Sequence, residues 1–181
     1  DRSDPPQITV CKSRNELIDS INTDTAIVYL SHADYRSGEC WDMADLNQRA
    51  HAVGALTVWD LSHSTGAIPV NLTGDDADFA VGCGYKYLSG GPGGAAYLWV
   101  NPRHADVGWP TICGWMGHQD VFAFATDYQP LNGVGRHATG TPTVIANEIF
   151  FCAAQIWQEV DEQHLWAKHK ALGDLTIKLL E

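Results

Sequence analysis

One lysine stands between two tyrosines at the mouth of a glycine-rich loop, in the run Gly84-Tyr85-Lys86-Tyr87-Leu88-Ser89-Gly90-Gly91-Pro92-Gly93-Gly94. Neither a helix nor a strand continues through such a run. Its glycines let the backbone turn sharply and approach its neighbours closely. Twenty-six residues upstream of the lysine, an apolar stretch ends in Trp59-Asp60-Leu61-Ser62-His63. The chain around these two points must therefore be made of short elements separated by tight connections.

The pattern on either side alternates helix and strand. Ser13-Arg14-Asn15-Glu16 has capping-box form and predicts a short helix to about Ile21. Ala26 to Leu30 reads as a strand. Trp41 to Val53 reads as a helix closed by Gly54. Leu56 to Trp59, Asp78 to Val81 and Ala95 to Val100 read as further strands, the last ended by Asn101-Pro102. Continuous apolar strands between helices predict an α/β fold, with a mainly parallel sheet covered by helices on both faces. Thr141-Pro142 then predicts the start of a long helix, Thr141 as N-cap and proline in the first turn. Its stripe of Ile145, Ile149, Phe150, Ala153, Ile156, Trp157 and Val160 reads as core packing. A second C-terminal helix is expected from about Glu162 onward.

Composition narrows the function. The 181 residues are enough for a domain with a real core. A net charge of −11, from 22 acidic and 11 basic residues, argues against a nucleic-acid partner. There is no apolar run of membrane-spanning length, and Asp1-Arg2-Ser3-Asp4-Pro5-Pro6 is not a signal peptide. Cys11, Cys40, Cys83, Cys113 and Cys152 are odd in number and lack C-x-x-C spacing, which fits a reduced, cytoplasmic protein. The eight histidines form no H-E-x-x-H or Cys/His pattern, so no metal site is expected. No G-x-S-x-G elbow is present, and no dinucleotide-binding glycine motif follows a strand. The missing initiator Met and an ending within a helical pattern suggest a piece of a longer protein.

The chemistry gathers at strand ends. Ser31-His32 follow the first strand, Asp60 to His63 follow the second, and Tyr85-Lys86 come shortly after the third. In open α/β sheets, ligands bind outside the carboxyl ends of strands, so these residues are expected to share one cleft. A lysine amine forms a Schiff base with an aldehyde cofactor, and a carboxylate keeps a pyridinium nitrogen protonated. Pyridoxal 5'-phosphate needs both. An isolated Asp60 would by default cap the element that follows it, but next to Trp59 an unpaired carboxylate is costly, and a pyridinium partner relieves that cost.

Three segments closely resemble the kynureninase family: Thr57 to Ala67 with Trp59-Asp60-Leu61-Ser62-His63, Asp78 to Leu88 with Tyr85-Lys86-Tyr87-Leu88, and Gly114-Trp115-Met116-Gly117-His118. The likeness extends more loosely from about Ala26 to the end. It implies the large-domain portion of a fold-type I, pyridoxal-phosphate-dependent transferase-like enzyme of the class V aminotransferase group, followed by long C-terminal helices. Residues 1–141 would be part of the cofactor-binding domain. Residues 142–181 would lead toward a small domain. The implied reaction is hydrolysis of L-kynurenine, or 3-hydroxykynurenine, to anthranilate, or 3-hydroxyanthranilate, and L-alanine, a step of tryptophan catabolism that feeds NAD biosynthesis.

By the same resemblance, Lys86 is the Schiff-base lysine and acid/base. Asp60 is the pyridinium partner, and His63 lines the cofactor. Tyr85 binds its phosphate and assists proton transfer. Trp115 and Thr141 contact the phosphate from the neighbouring subunit of a homodimer, and Ser31 is a further cofactor contact. The family's upstream phosphate loop and stacking aromatic are absent here, as is the small-domain arginine that clamps the substrate carboxylate. Arg136 is not assigned that role, and the isolated chain is expected to be a poor catalyst. Two other readings stay open: another class V enzyme, such as a cysteine desulfurase or an amino-acid lyase, and a truncated non-catalytic domain.

Overall fold

The computed structural model describes residues 5–181. α1 (Arg14–Ser20) starts at Ser13, whose side chain accepts the Glu16 N–H. The Glu16 carboxylate reaches back to the Lys12 N–H at 2.7 Å, one residue earlier than the usual reciprocal partner. α2 (Met43–Ala52) starts at Asp42, which accepts the Asp45 N–H, and Gly54 closes it at φ +83°. Met43, Leu46, Asn47 and Ala50 make its buried stripe, at helical spacing.

β1 (Ile27–Ser31), β2 (Leu56–Asp60), β3 (Phe79–Cys83) and β4 (Ala96–Val100) form one sheet in that order. β1, β2 and β3 are parallel, and β4 runs antiparallel to β3. The reversal has a local cause. Residues 84–95, the glycine-rich link, contain no helix, and a parallel return needs a crossover element.

Leu30, Trp59 and Ala80 occupy one register level and face α2. With Val28, Met43, Leu46, Ala50, Ala55, Leu61 and Ala77 they make the core, backed by Leu17 and Ile21 around α1. Burial of Trp59 alone stabilises by about 2–3 kcal/mol. Its indole N–H is satisfied by Asn47 at 2.9 Å, and Asn47 in turn donates to the Asp75 carbonyl.

Three expectations are corrected. The second face of the sheet is open at β1, where Ile27 is 58% and Tyr29 62% exposed, and is covered at Phe79 and Val100, where the His104 ring stacks on Phe79. The first long C-terminal helix, α3 (Val144–Trp157), starts after Thr143 and not at Thr141, since Pro142 sits ahead of the cap. Most of its apolar stripe is not core: only Ala153 is buried, and Ile145 is 77% and Ile156 68% exposed. Phe150 and Trp157 pack instead on the loops that follow β2 and β3. α4 (Glu162–Leu180) follows, capped by Asp161, with His169 touching the Ala67 carbonyl at 3.2 Å. Among the described residues, the five cysteines are unpaired and no helix is long and apolar enough to cross a membrane.

Asp78 locks the amino end of the sheet. It is 1% exposed and accepts from the Thr57 N–H at 2.8 Å, the Thr57 hydroxyl, His51 at 2.8 Å, His104 at 2.7 Å and Arg103. Burial pushes its carboxyl upward, but the Arg103, His51, Thr57 and His104 hydrogen bonds outweigh it and hold the group well below the usual carboxylate range. A depressed carboxylate contributes stability that is complete above its unfolded value, near pH ~4, and is lost as pH falls through the folded one. Asp78→Ala is therefore expected to lose about 3–5 kcal/mol at neutral pH in urea unfolding, because buried donors lose their acceptor. The gap to the unmodified chain should narrow progressively in acid.

Candidate active site

Asp60 is the last residue of β2, and its register partners are Ser31 on β1 and Val81 on β3. Its Oδ1 accepts the Ser62 N–H at 2.8 Å, so the carboxylate caps a turn and not a helix. Among the described residues its other oxygen accepts no hydrogen bond. Trp59 is not its spatial neighbour: successive strand residues face opposite sides, and Trp59 points into the core. Trp59 therefore does not desolvate the Asp60 carboxylate, which nonetheless sits at the strand end as expected.

The chain then turns tightly. Ser64 and Thr65 N–H both donate to the Leu61 carbonyl, and Leu61 N–H donates to Val81 of β3. Gly66 ends the turn at φ +85°. A side chain there would meet the Tyr87 carbonyl at 2.9 Å and the Trp157 ring at 3.2 Å. That close approach brings the Asp60–Gly66 turn against the Tyr85–Leu88 segment.

The result is a direct contact, with Lys86 Nζ 3.0 Å from His63 Nε2. A lysine ammonium only donates, so the imidazole accepts through an unprotonated Nε2 while Lys86 is charged. Tyr85 is half exposed, and its ring centroid lies 5.7 Å from the Lys86 nitrogen. Behind Lys86 the glycine loop closes on itself: Gly90 N–H donates to Gly84 at 2.7 Å, and Gly84 N–H to Ala95 at 2.8 Å. α3 braces this loop through Phe150 against Gly84 and Gly90, and through the Trp157 N–H to the Leu88 carbonyl.

The other anticipated residues divide into two sets. Ser31 lies beside Asp60 with no side-chain hydrogen bond among the described residues. His32 turns away from the cleft: it is buried edge-on to Trp59 at 5.7 Å, and burial pushes its pKa down. Trp115 and Thr141 belong to a separate loop layer. Gly114, before Trp115, lies so close to the Thr139 backbone that a side chain would collide with it. Trp115 is 49% exposed and lies on an open cleft of about 500 Å³ with His118, Phe124 and Tyr128. Among the described residues no hydrogen bond or ring contact joins Trp115 or Thr141 to Lys86, Asp60 or His63. Arg136 is a structural staple of this layer: its buried guanidinium donates to the Leu131 and Gly108 carbonyls and to Asp106. His118 is likewise held by its own loop, accepting the Asp120 N–H at 3.0 Å.

Tyr35 and Tyr97 escaped the sequence reading. The Tyr35 ring lies 5.9 Å from that of His63, and the Tyr97 hydroxyl is bonded to Thr65 in the turn. Tyr35 carried a signal, since it sits in the loop directly after a parallel strand. Tyr97 carried none: only the antiparallel pairing of β4 brings it to the site.

The Aminotransferase class-V family model matches residues 9–181. The kynureninase of Pseudomonas fluorescens is 42% identical over 169 residues, 93% of this chain and 41% of that protein. That of Deinococcus radiodurans is 43% identical over 167 residues, 92% of this chain and 41% of that protein. The chain thus spans about two fifths of the length of these curated relatives. Among solved structures, the cysteine desulfurase CsdA of Escherichia coli superposes with a TM-score of 0.66 at 24% identity, over 79% of this chain and 35% of that one. A cysteine desulfurase of Thermococcus onnurineus NA1 gives 0.65 at 25%, over 80% and 35%. The match over residues 9–181 places this chain in the class-V aminotransferase family.

Proposed function

We propose that this chain carries the lysine-bearing part of a pyridoxal-phosphate-dependent kynureninase, which hydrolyses L-kynurenine or 3-hydroxykynurenine to the anthranilate and L-alanine. The supporting observation is the Lys86–His63 contact of 3.0 Å, on a turn that begins at Asp60. Kynureninase relatives at 42% and 43% identity support this substrate class. Residues 1–141 are read as part of the cofactor domain and 142–181 as helices leading toward a second one. The working enzyme is read as a cytoplasmic homodimer in tryptophan catabolism.

The donor set fits the cofactor. A carboxylate at the end of β2, an imidazole on the turn after it and an amine on the loop after β3 make up the set, and both Lys86 and Asp60 keep bonding capacity beyond their present partners. When bound, pyridoxal phosphate supplies an electrophilic carbon for amines and an electron sink for the substrate Cα. Asp60 holds the pyridine nitrogen protonated, because an adjacent carboxylate favours the charged form. Lys86 would hold the cofactor and would move the proton at the substrate Cα. His63 orients the Lys86 amine and contacts the ring. Tyr85 binds phosphate and delivers a proton to the departing carbon, with Ser31 as a further contact. Trp115 and Thr141 donate to the phosphate from the neighbouring copy, consistent with their separation from Lys86 here.

The test is a spectrum and a product assay on the full-length polypeptide carrying this chain. Added pyridoxal phosphate is expected to give visible absorbance, and kynurenine to yield anthranilate. Lys86→Ala should abolish that absorbance and lower turnover about 10³-fold or more. Asp60→Ala should weaken cofactor binding and slow Cα deprotonation, read in a single turnover; an unchanged rate removes Asp60 from its role. Trp115→Phe, which loses one N–H donor, should weaken cofactor binding about 5- to 10-fold. Turnover of cysteine without anthranilate would assign the chain to another class V chemistry, and no absorbance at all would make it a non-catalytic domain.

A further inference from the structure

The Asp60–Gly66 turn is anchored at both ends, in different ways. At its start, Leu61 N–H donates to the Val81 carbonyl at 2.8 Å, an ordinary extension of the sheet. Near its end, Thr65 Oγ1 shares a hydrogen bond of 2.6 Å with the hydroxyl of Tyr97, on β4. His63 lies between the two anchors. Within the turn, the Ser64 hydroxyl is buried and bonded to nothing among the described residues, so it contributes no tether. Besides Tyr97, the far end of the turn is held by packing of Gly66 on the Tyr87 carbonyl and the Trp157 ring, by backbone bonds from Ala67 and Ile68 to the Ser64 carbonyl, and by His169 on the Ala67 carbonyl.

Tyr97 reaches Thr65 because its strand partner is glycine. Gly82 and Tyr97 are register partners, and a Cβ on Gly82 would lie 2.3 Å from the Tyr97 oxygen and 2.4 Å from its ring carbon. The phenol therefore lies flat across β3 toward the turn. Burial raises the pKa of the phenol, and the nearby Cys83 and Asp60 raise it further, against the Thr65 hydrogen bond. It therefore stays a neutral hydroxyl throughout the physiological range.

We infer that Tyr97 is a positioning residue: through the Thr65 hydroxyl it sets the Asp60–Gly66 turn, and with it the place of His63 against Lys86. This rests on the reading of Lys86, His63 and Asp60 as the cofactor site. Tyr97 touches neither Lys86 nor His63 and acts only through Thr65.

Tyr97→Phe keeps the ring over Gly82 and removes only the hydroxyl. Without added ligand, amide exchange at residues 61–66 is expected to quicken about fivefold, the loss of one hydrogen bond, while amides of β1 and β2 stay unchanged. The His63 ring resonances should shift while those of exposed His164 do not. Thr65→Val should reproduce both effects, the double variant should add nothing, and Thr65→Ser should restore them. In the full-length polypeptide, Tyr97→Phe should weaken pyridoxal phosphate binding about 3- to 10-fold. Unchanged exchange and His63 resonances in Tyr97→Phe, or additive effects in the double variant, would overturn the inference. So would unchanged cofactor affinity in a Tyr97→Phe protein whose turn has loosened. A wild-type protein that binds no pyridoxal phosphate defeats the site reading instead, and the exchange and His63 measurements still decide whether Tyr97 sets the turn.

Discussion

A buried carboxylate at the start of β3 governs the rest of this structure. Asp78 gathers a backbone and a hydroxyl donor from the start of β2, an imidazole from α2, and an imidazole and a guanidinium from the segment after β4. Four segments, α2, β2, β3 and the turn after β4, are thereby tied at the amino end of one sheet. Without these donors the charge could not be buried. With them, the alignment of β2 against β3 is settled at one end, and everything at the opposite end inherits that alignment. Asp60 lies beside the end of β3 that leads into the loop bearing Lys86 because Val58 pairs with Phe79 and Asp60 with Val81.

The carboxyl end holds Asp60, His63 and Lys86 and is built from turns braced by side chains. Three supports converge on it. Gly66 lets two loops touch, α3 supplies Phe150 and Trp157 beneath the glycine loop, and Tyr97 ties down the turn from the last strand. A functional side chain on a loop is only as well placed as the groups behind it. The division matches the physical demands on each end: one end holds the sheet together, and the other presents polar groups that keep unused bonding capacity. The layer holding Trp115 and Thr141 is a separate construction, centred on the buried Arg136.

Much of this was legible in the chain. Strand and helix positions came within a residue or two, since alternating caps and apolar runs report local backbone preferences. The meeting of His63 with Lys86 followed from the rule that parallel strands present ligands at their carboxyl ends. What misled was adjacency. Trp59 next to Asp60, and His32 next to Ser31, look like site neighbours in one dimension, yet the pleat sends each pair to opposite faces. The stripe on α3 misled differently: periodicity marks an apolar face but does not say what covers it, and most of that face is open in this chain.

Local chemistry in the chain is enough to give the element order, the strand ends that carry polar residues, and the lysine, carboxylate and imidazole proposed for the site. These are local properties, readable wherever backbone preference and side-chain type decide. Which of those groups meet comes from the folded arrangement. It pressed Gly66 onto Tyr87, turned β4 back so that Tyr97 reaches Thr65, and made Arg136 a loop staple. Such contacts join residues tens of positions apart and depend on register and close packing, which local sequence preferences do not encode.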